Sequence, residues 1–207
     1  GIIIRGDESK LLDIKKKTFT ISYKNKKSIF VQPYLLGEHQ IENATLAIIA
    51  SYEINKLGYR IKNNLINKAL INNIWPGRLE KFYFNNLPFF LDGAHNIEGA
   101  KQLAKFLSKE NKETWFIIGM LKNKNINLFL KFLKKNITGV VAIKIPGQKN
   151  AFTSKEIANA CKKLNIFCVT HKNITSAKKY LLKKSSIDRI VITGSLYLIG
   201  KVRKLFI

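Results

Sequence analysis

The stretch LDGAHN at residues 91–96 places an Asp, a His and an Asn close together, where a buried strand is predicted to end and a helix to begin. Asp92 could hold a ribose through its hydroxyl groups, and His95 could contact a carboxylate or transfer a proton. The alternative is structural: Asp92 and Asn96 are turn and cap residues, and His95 is a hydrogen-bonded loop residue. The spacing alone leaves both interpretations open.

Three further side chains are candidates for ligand contacts. Arg78 is one of few arginines in a Lys-rich chain, and its planar guanidinium suits a bidentate phosphate contact, although an ion pair with Glu80 explains it equally well. Asn43 lies in a predicted helix, where it could recognise an adenine edge or simply be a surface residue. Ser195 follows Gly194 at a predicted helix N-terminus, where free N–H groups favour an anion.

The first third of the chain is predicted to contain a β-hairpin and two helices. Period-two alternation over residues 18–32 indicates the hairpin, and apolar residues at helical spacing indicate a helix over 37–57. A second helix is predicted over 63–73. The sequence Trp75-Pro76-Gly77 then ends the helical pattern, because Pro disfavours helix at the residue before it. We therefore predict one domain over residues 1–75 and a second over 76–207.

From residue 76 onward, apolar strands alternate with amphipathic helices. Such alternation is typical of an α/β fold with a mostly parallel sheet and helices on both faces. One predicted strand ends at Asp92, and the others cover 114–120, 140–145, 166–170 and 189–193. The predicted helices cover 97–109, 127–135, 154–164, 175–184 and the segment that begins at 196. Ligands in such sheets lie beyond the carboxyl ends of the strands. The candidate site therefore consists of the loops at 92–96, 119–122, 146–148 and 194–195.

Composition narrows the classes of partner. The net charge of +24 would favour nucleic acid, but the 37 basic residues include only 5 arginines, and Arg is the usual reader of bases and phosphates. We therefore expect no nucleic-acid partner. No long apolar run predicts a membrane segment or signal peptide, so we expect a cytoplasmic protein without a membrane partner. Cys161 and Cys168 are seven residues apart, a spacing that does not suggest a zinc site, and we expect both to be reduced and structural.

Six motifs together carry a family resemblance that none carries alone. They are GEHQIENATLA (37–47), WPGRLEKF (75–82), LDGAHN (91–96), IIGMLKNKN (117–125), IPGQKNAFTSKEIANA (145–160) and TGSLYLIG (193–200). In this order they resemble the C-terminal half of bacterial folylpolyglutamate synthase/dihydrofolate synthase, a relative of the Mur ligases. The resemblance implies a Rossmann-like C-terminal domain at 76–207, preceded by the C-terminal remnant of the central ATPase domain at 1–75.

The resemblance also implies an activity and residue roles. Such ligases use ATP to phosphorylate the carboxylate of dihydropteroate or a folate, and the amine of L-glutamate then attacks the acyl phosphate. Asn43 would contact the adenine, Arg78 the phosphates and Asp92 the ribose. His95, as the catalytic residue, and Ser195 would lie on the glutamate side. ATP in this family lies between an N-terminal P-loop domain and the C-terminal domain.

Departures from the family pattern limit these implications. No GxxxxGK[ST] phosphate loop occurs in the sequence, and the Mg²⁺ ligands are expected on an N-terminal part. The chain starts with Gly and is interpreted as a truncated or fragmentary sequence, inactive alone. A separately encoded P-loop piece is one possible partner. The alternative is a non-catalytic binding module or gene relic that keeps the fold. Asn123-Lys124-Asn125 also replaces the Asp-Lys-Asp that the family commonly has.

Overall fold

The computed structural model describes residues 9–206 and divides the chain into two compact units, Gly1–Trp75 and Pro76–Ile207. The prediction that the chain has a truncated start concerns residues 1–8, which lie outside the described residues. Assignment of the first unit to a central ATPase domain stays a prediction. Within 9–206, no helix has the length and apolar character needed to cross a membrane.

The first unit packs two helices with a small antiparallel sheet. Its elements are β1 (Ser9–Ile14), β2 (Thr18–Tyr23), β3 (Lys26–Val31), α1 (Glu38–Asn55) and α2 (Asn63–Asn72). Strands β2 and β3 form the predicted hairpin, whose turn residues Lys24 and Asn25 have φ angles of 46° and 61°. These left-handed values fit a two-residue hairpin turn. The sequence patterns did not predict β1, which pairs with β2.

The second unit is built on one six-stranded sheet. Its strands are β4 (Glu80–Phe84), β5 (Leu87–Leu91), β6 (Thr114–Ile118), β7 (Gly139–Ala142), β8 (Cys168–Thr170) and β9 (Arg189–Thr193), in the order β4-β5-β9-β6-β7-β8. All neighbours pair in parallel except β4 and β5, which form an antiparallel hairpin. The last strand of the chain, β9, therefore inserts between β5 and β6.

Helices cover both faces of this sheet, because successive strand residues point to opposite sides. The helices are α3 (Ile97–Leu107), α4 (Ile126–Leu133), α5 (Ser154–Lys163), α6 (Ile174–Leu181) and α7 (Leu196–Arg203). Phe116 packs in one buried cluster with residues of α3, α4 and α5. Its neighbour Ile117 packs in the other, with residues of α6 and α7. The predicted mostly parallel α/β fold is confirmed.

Several local predictions also hold. The helix predicted over 154–164 is α5, whose N-cap is Thr153; the side chains of Thr153 and Glu156 form a capping box. Asn96 caps α3 by accepting a hydrogen bond from the Gly99 N–H at 2.8 Å. The sequence patterns missed β4, whose residues were assigned only to a motif.

Candidate functional site

Asp92 lies at the carboxyl end of β5 and is 8% exposed. Its Oδ2 accepts a hydrogen bond from the Leu79 N–H at 3.0 Å, and its Oδ1 accepts one from the Ala94 N–H at 2.9 Å. Leu79 has a left-handed φ of 49°, a conformation that a branched residue adopts only when its surroundings hold it. The Asp92 carboxylate therefore fixes the loop before β4, which is a structural role.

His95 is half-buried, and its Nδ1 lies 2.8 Å from the carbonyl oxygen of Gly93. A carbonyl oxygen only accepts hydrogen bonds, so this contact assigns a proton to Nδ1. Nε2 is then the ring nitrogen that remains for a ligand. In a neutral ring Nε2 would be a hydrogen-bond acceptor, which is the property that a proton-accepting group needs.

Ser195 is buried and begins α7. Its Oγ accepts a hydrogen bond from the Tyr197 N–H at 3.1 Å, so the hydroxyl is the N-cap of this helix. The preceding Gly194 has a φ of 104°, and a Cβ there would lie 2.6 Å from the Gly119 carbonyl oxygen. Only glycine fits this close approach between the ends of β9 and β6.

A cavity of about 270 Å³ brings two predicted site residues together. Its walls come from the loops that follow β5, β6 and β9. The lining residues are His95, Leu121, Asn123, Lys124 and the segment 194–197. His95 and Ser195 thus share one cavity at the carboxyl edge of the sheet, where β9 inserts between β5 and β6.

The sequence patterns did not assign a role to Asn123 and Lys124, although both lie in the loop between β6 and α4. The rule that ligands lie beyond the carboxyl ends of the strands could have identified both residues. The loop predicted from the sequence, however, ended at residue 122. The loop is held by Lys122, whose N–H donates to Asn150 O at 2.9 Å and whose Nζ lies 2.8 Å from Glu156 Oε1. This arrangement fixes the backbone that carries Lys124 into the wall of the cavity.

Arg78 is exposed, and its side chain makes no ion pair or hydrogen bond with any residue from 9 to 206. The alternative of an ion pair with Glu80 is wrong. The Glu80 oxygens accept hydrogen bonds from Arg203 Nε at 2.9 and 3.0 Å, and Oε2 also accepts the Gly77 N–H at 3.1 Å. The last helix therefore holds the Glu80 carboxylate, and Arg78 is left available for an anion.

Asn43 belongs to the first unit and lies on an exposed position of α1. Its Nδ2 donates to Gln40 Oε1 at 3.3 Å, one turn earlier in the helix. This contact is compatible with a surface residue, and its proposed contact with adenine stays a prediction.

A second, larger cavity of about 450 Å³ lies at the opposite, amino edge of the sheet. Buried Arg189 lines it and donates to Thr114 Oγ1 at 2.7 Å and to the carbonyl oxygens of Leu107 and Glu110. Burial lowers the pKa of Arg189. Protein groups thus accept the hydrogen bonds of this guanidinium, so Arg189 has a structural role at this cavity.

Comparison with known proteins establishes the family. The profile of the family described as dihydrofolate synthetase, C-terminal domain, matches residues 78–205. The chain belongs to this family. The match covers β4 to α7 of the second unit almost completely, apart from the first two residues and the last two.

Relatives of the dihydrofolate synthetase family resemble the chain beyond this domain. The dihydrofolate synthase/folylpolyglutamate synthase of Bacillus subtilis is 29% identical over 182 residues, which are 84% of this chain and 40% of the relative. A folylpolyglutamate synthase structure from Thermotoga maritima has a TM-score of 0.75 and 26% identity, covering 96% of this chain and 46% of that one.

The structure of E. coli FolC in complex with DHPP and ADP has a TM-score of 0.82. At 19% identity it covers 97% of this chain and 46% of the E. coli chain, so the likeness concerns the fold. The chain therefore spans less than half the length of each of these three relatives. The resemblance inferred from the six sequence motifs is confirmed at the level of the family.

Proposed function

We propose that the chain is the C-terminal portion of an ATP-dependent ligase that adds L-glutamate to dihydropteroate or a folate through an acyl phosphate. The supporting observation is that His95 and Ser195, the two residues that the family pattern puts on the glutamate side, line one cavity. Relatives support the use of a nucleotide, because E. coli FolC was solved with ADP.

The chemistry needs an amine that is free of its extra proton when it attacks. His95, with Nδ1 bound to Gly93 O, has Nε2 free to accept that proton or to orient the amine. Ser195 and the first N–H groups of α7 provide dipoles that favour negative charge. We assign His95 as the catalytic residue and Ser195 as a residue that binds the amino acid or the acyl phosphate.

The nucleotide contacts are the second part of the proposal. Arg78 is an exposed guanidinium without a partner among residues 9–206, which suits it to a phosphate. Asp92, at the carboxyl end of β5, would accept a hydrogen bond from a ribose hydroxyl. Asn43, in the first unit, would bind the adenine edge.

The proposal assigns no magnesium ligand to the described residues. Between residues 9 and 206, no group of three or more His, Cys, Asp or Glu could hold a metal ion. We place the Mg²⁺ ligands and the phosphate loop on a preceding N-terminal portion, and we expect no turnover from this chain alone.

The nucleotide contacts can be tested in a chimera in which this chain replaces the matched C-terminal region of the B. subtilis relative. We expect Arg78→Ala to weaken ATP binding by about tenfold, as loss of a charged hydrogen-bond pair does. Arg60→Ala is the matched control, since Arg60 is also exposed and has no proposed role. Equal ATP affinity of the two variants would move Arg78 out of the site.

A further inference from the structure

Cys161 and Cys168 lie together although they belong to different elements. Cys161 is near the C-terminal end of α5, and Cys168 is the first residue of β8. The chain reverses between them, since Asn165 has a left-handed φ of 53° and the Ile166 N–H donates to Cys161 O at 3.0 Å. The two side chains pack in one apolar cluster, and a hydrogen bond joins their thiols. The fold therefore places the two sulfur atoms within reach of each other.

The two thiols differ in exposure and in acidity. Cys161 is fully buried, whereas Cys168 is half-buried at the edge strand of the sheet. The hydrogen bond from Cys161 lowers the pKa of Cys168, and the same hydrogen bond, together with burial, raises the pKa of Cys161. Because the thiolate is the reactive form of cysteine, an oxidant from solvent reacts at Cys168. Cys161 is the second thiol, held behind the first.

We infer that Cys161 and Cys168 form a redox-modification site, in which a hydroperoxide oxidises Cys168 and Cys161 then closes a reversible intramolecular disulfide. In the first step the Cys168 thiolate attacks the peroxide. An S–O bond forms, the O–O bond breaks, and the departing alkoxide or hydroxide takes up the proton that the Cys168 thiol has released. The product at Cys168 is a sulfenic acid, and the peroxide is reduced by two electrons.

In the second step the Cys161 sulfur attacks the Cys168 sulfur. An S–S bond forms, the S–O bond breaks, and hydroxide leaves with the Cys161 proton as water. The hydrogen bond to Cys168 is the largest cause of the raised pKa of Cys161, and burial and the Cys168 charge follow. Oxidation removes the thiolate at Cys168, so only burial then opposes the attack by Cys161.

This inference does not depend on the proposed function. The cavity shared by His95 and Ser195 is built by loops that follow β5, β6 and β9, whereas the cysteine pair joins α5 to β8. Packing explains a buried Cys161, because a free cysteine behaves as a small apolar side chain. It does not by itself predict a second thiol, half-exposed and hydrogen-bonded to the first.

The test is mass spectrometry of the intact chain after treatment with hydrogen peroxide at neutral pH. We expect the monomer to lose about 2 Da, to resist alkylation by iodoacetamide after unfolding, and to regain both thiols with dithiothreitol. Trypsin cleaves after Lys162 and Lys163, between the two cysteines. The disulfide should therefore appear as a linked pair of peptides from a chain that remains monomeric on a non-reducing gel.

Two variants separate the roles of the thiols. Cys161→Ala keeps an apolar side chain at the buried position, and here oxidation should stop at a Cys168 sulfenic acid, a gain of about 16 Da that dimedone traps. Cys168→Ser leaves only the buried thiol, which should be oxidised at least about tenfold more slowly than the wild-type pair. Amide chemical shifts outside 161–168 verify that each variant is folded.

Three results would overturn the inference. The first is Cys168 oxidised to sulfenic or sulfinic acid in the wild type without a linked peptide pair. The second is a disulfide found between chains and not within one. The third is loss of the Cys161 thiol in Cys168→Ser at the wild-type rate. The linked peptide pair is measured on the wild type, so the inference is decided even where a variant does not fold.

Discussion

Asp92 Oδ2 accepts a hydrogen bond from the backbone N–H of Leu79 at 3.0 Å and so links the end of β5 to the loop that carries Arg78. A residue that the motifs suggest for ribose binding is therefore also a structural support. This structural role, together with the proposed ribose contact, predicts that substitutions of Asp92 lower both stability and nucleotide affinity.

Asp92→Ala leaves the buried N–H groups of Leu79 and Ala94 without their acceptors. Each unsatisfied group costs about 1–3 kcal/mol. We therefore expect urea denaturation to show a larger decrease in the free energy of unfolding for Asp92→Ala than for Asn96→Ala. The latter removes one N-cap contact, worth about 1 kcal/mol. Equal losses for the two variants, or a smaller loss for Asp92→Ala, would contradict the structural role of the Asp92 carboxylate.

Gly194 should be the least replaceable residue at the carboxyl edge. Gly194→Ala forces a Cβ to within 2.6 Å of Gly119 O at a φ of 104°, and the backbone strain alone costs about 1–3 kcal/mol. Gly200→Ala is the matched control, because nothing lies within 4 Å of its Cβ position in α7. That helix substitution should stabilise by about 0.5–1 kcal/mol. Thermal unfolding in which the Tm of both variants shifts in the same direction would refute this interpretation.

The two thiols should react at different rates. The hydrogen bond to Cys168, together with burial, raises the pKa of Cys161, while the same hydrogen bond lowers the pKa of Cys168. Cys161 is fully buried and Cys168 is half-buried. Because the thiolate is the nucleophile, iodoacetamide under native conditions should label Cys168 first. Peptide mass spectrometry that finds Cys161 labelled first would contradict the assignment.

The capping box of α5 should add a pH dependence to stability. Hydrogen bonds from Lys122, which have the largest effect, and from Thr153 lower the pKa of Glu156 from 4.5 to about 2. The stabilisation by its carboxylate is therefore complete above pH 4.5 and is lost as the pH falls towards 2. We expect the difference in Tm between the wild type and Glu156→Gln to shrink across this range. A difference independent of pH would show that the charge of Glu156 does not stabilise the native state.

Much of the fold follows from local patterns. The alternation of apolar strands and amphipathic helices predicted the α/β fold, and the period-two alternation over residues 18–32 predicted the hairpin of β2 and β3. The hairpin of β4 and β5 also left a signal, since Asn85 and Asn86 at its turn have φ angles of 50° and 62° and Asn tolerates this region. The start of β4 was recognised only as part of the motif WPGRLEKF, and no strand was predicted there.

Long-range contacts had no local signal. Glu80 binds Arg203, 123 positions away, and Arg189 bonds Thr114, 75 positions away. The scarcity of Arg suggested a phosphate contact at Arg78, but Arg189 is retained as a buried structural group. Composition therefore could not distinguish a ligand contact from an internal one. The rule for carboxyl ends did place His95 and Ser195 at one edge, yet only the structure shows that Lys124 lines the same cavity.

The proposed function makes this chain the glutamate-binding side of a folate ligase. The most direct measurement is incorporation of labelled L-glutamate into dihydropteroate by the chimera with the N-terminal half of the B. subtilis relative. We expect ATP-dependent product that is lost in His95→Ala. A folded chimera that binds ATP but forms no glutamylated product, under conditions where the B. subtilis parent does, would contradict the claim.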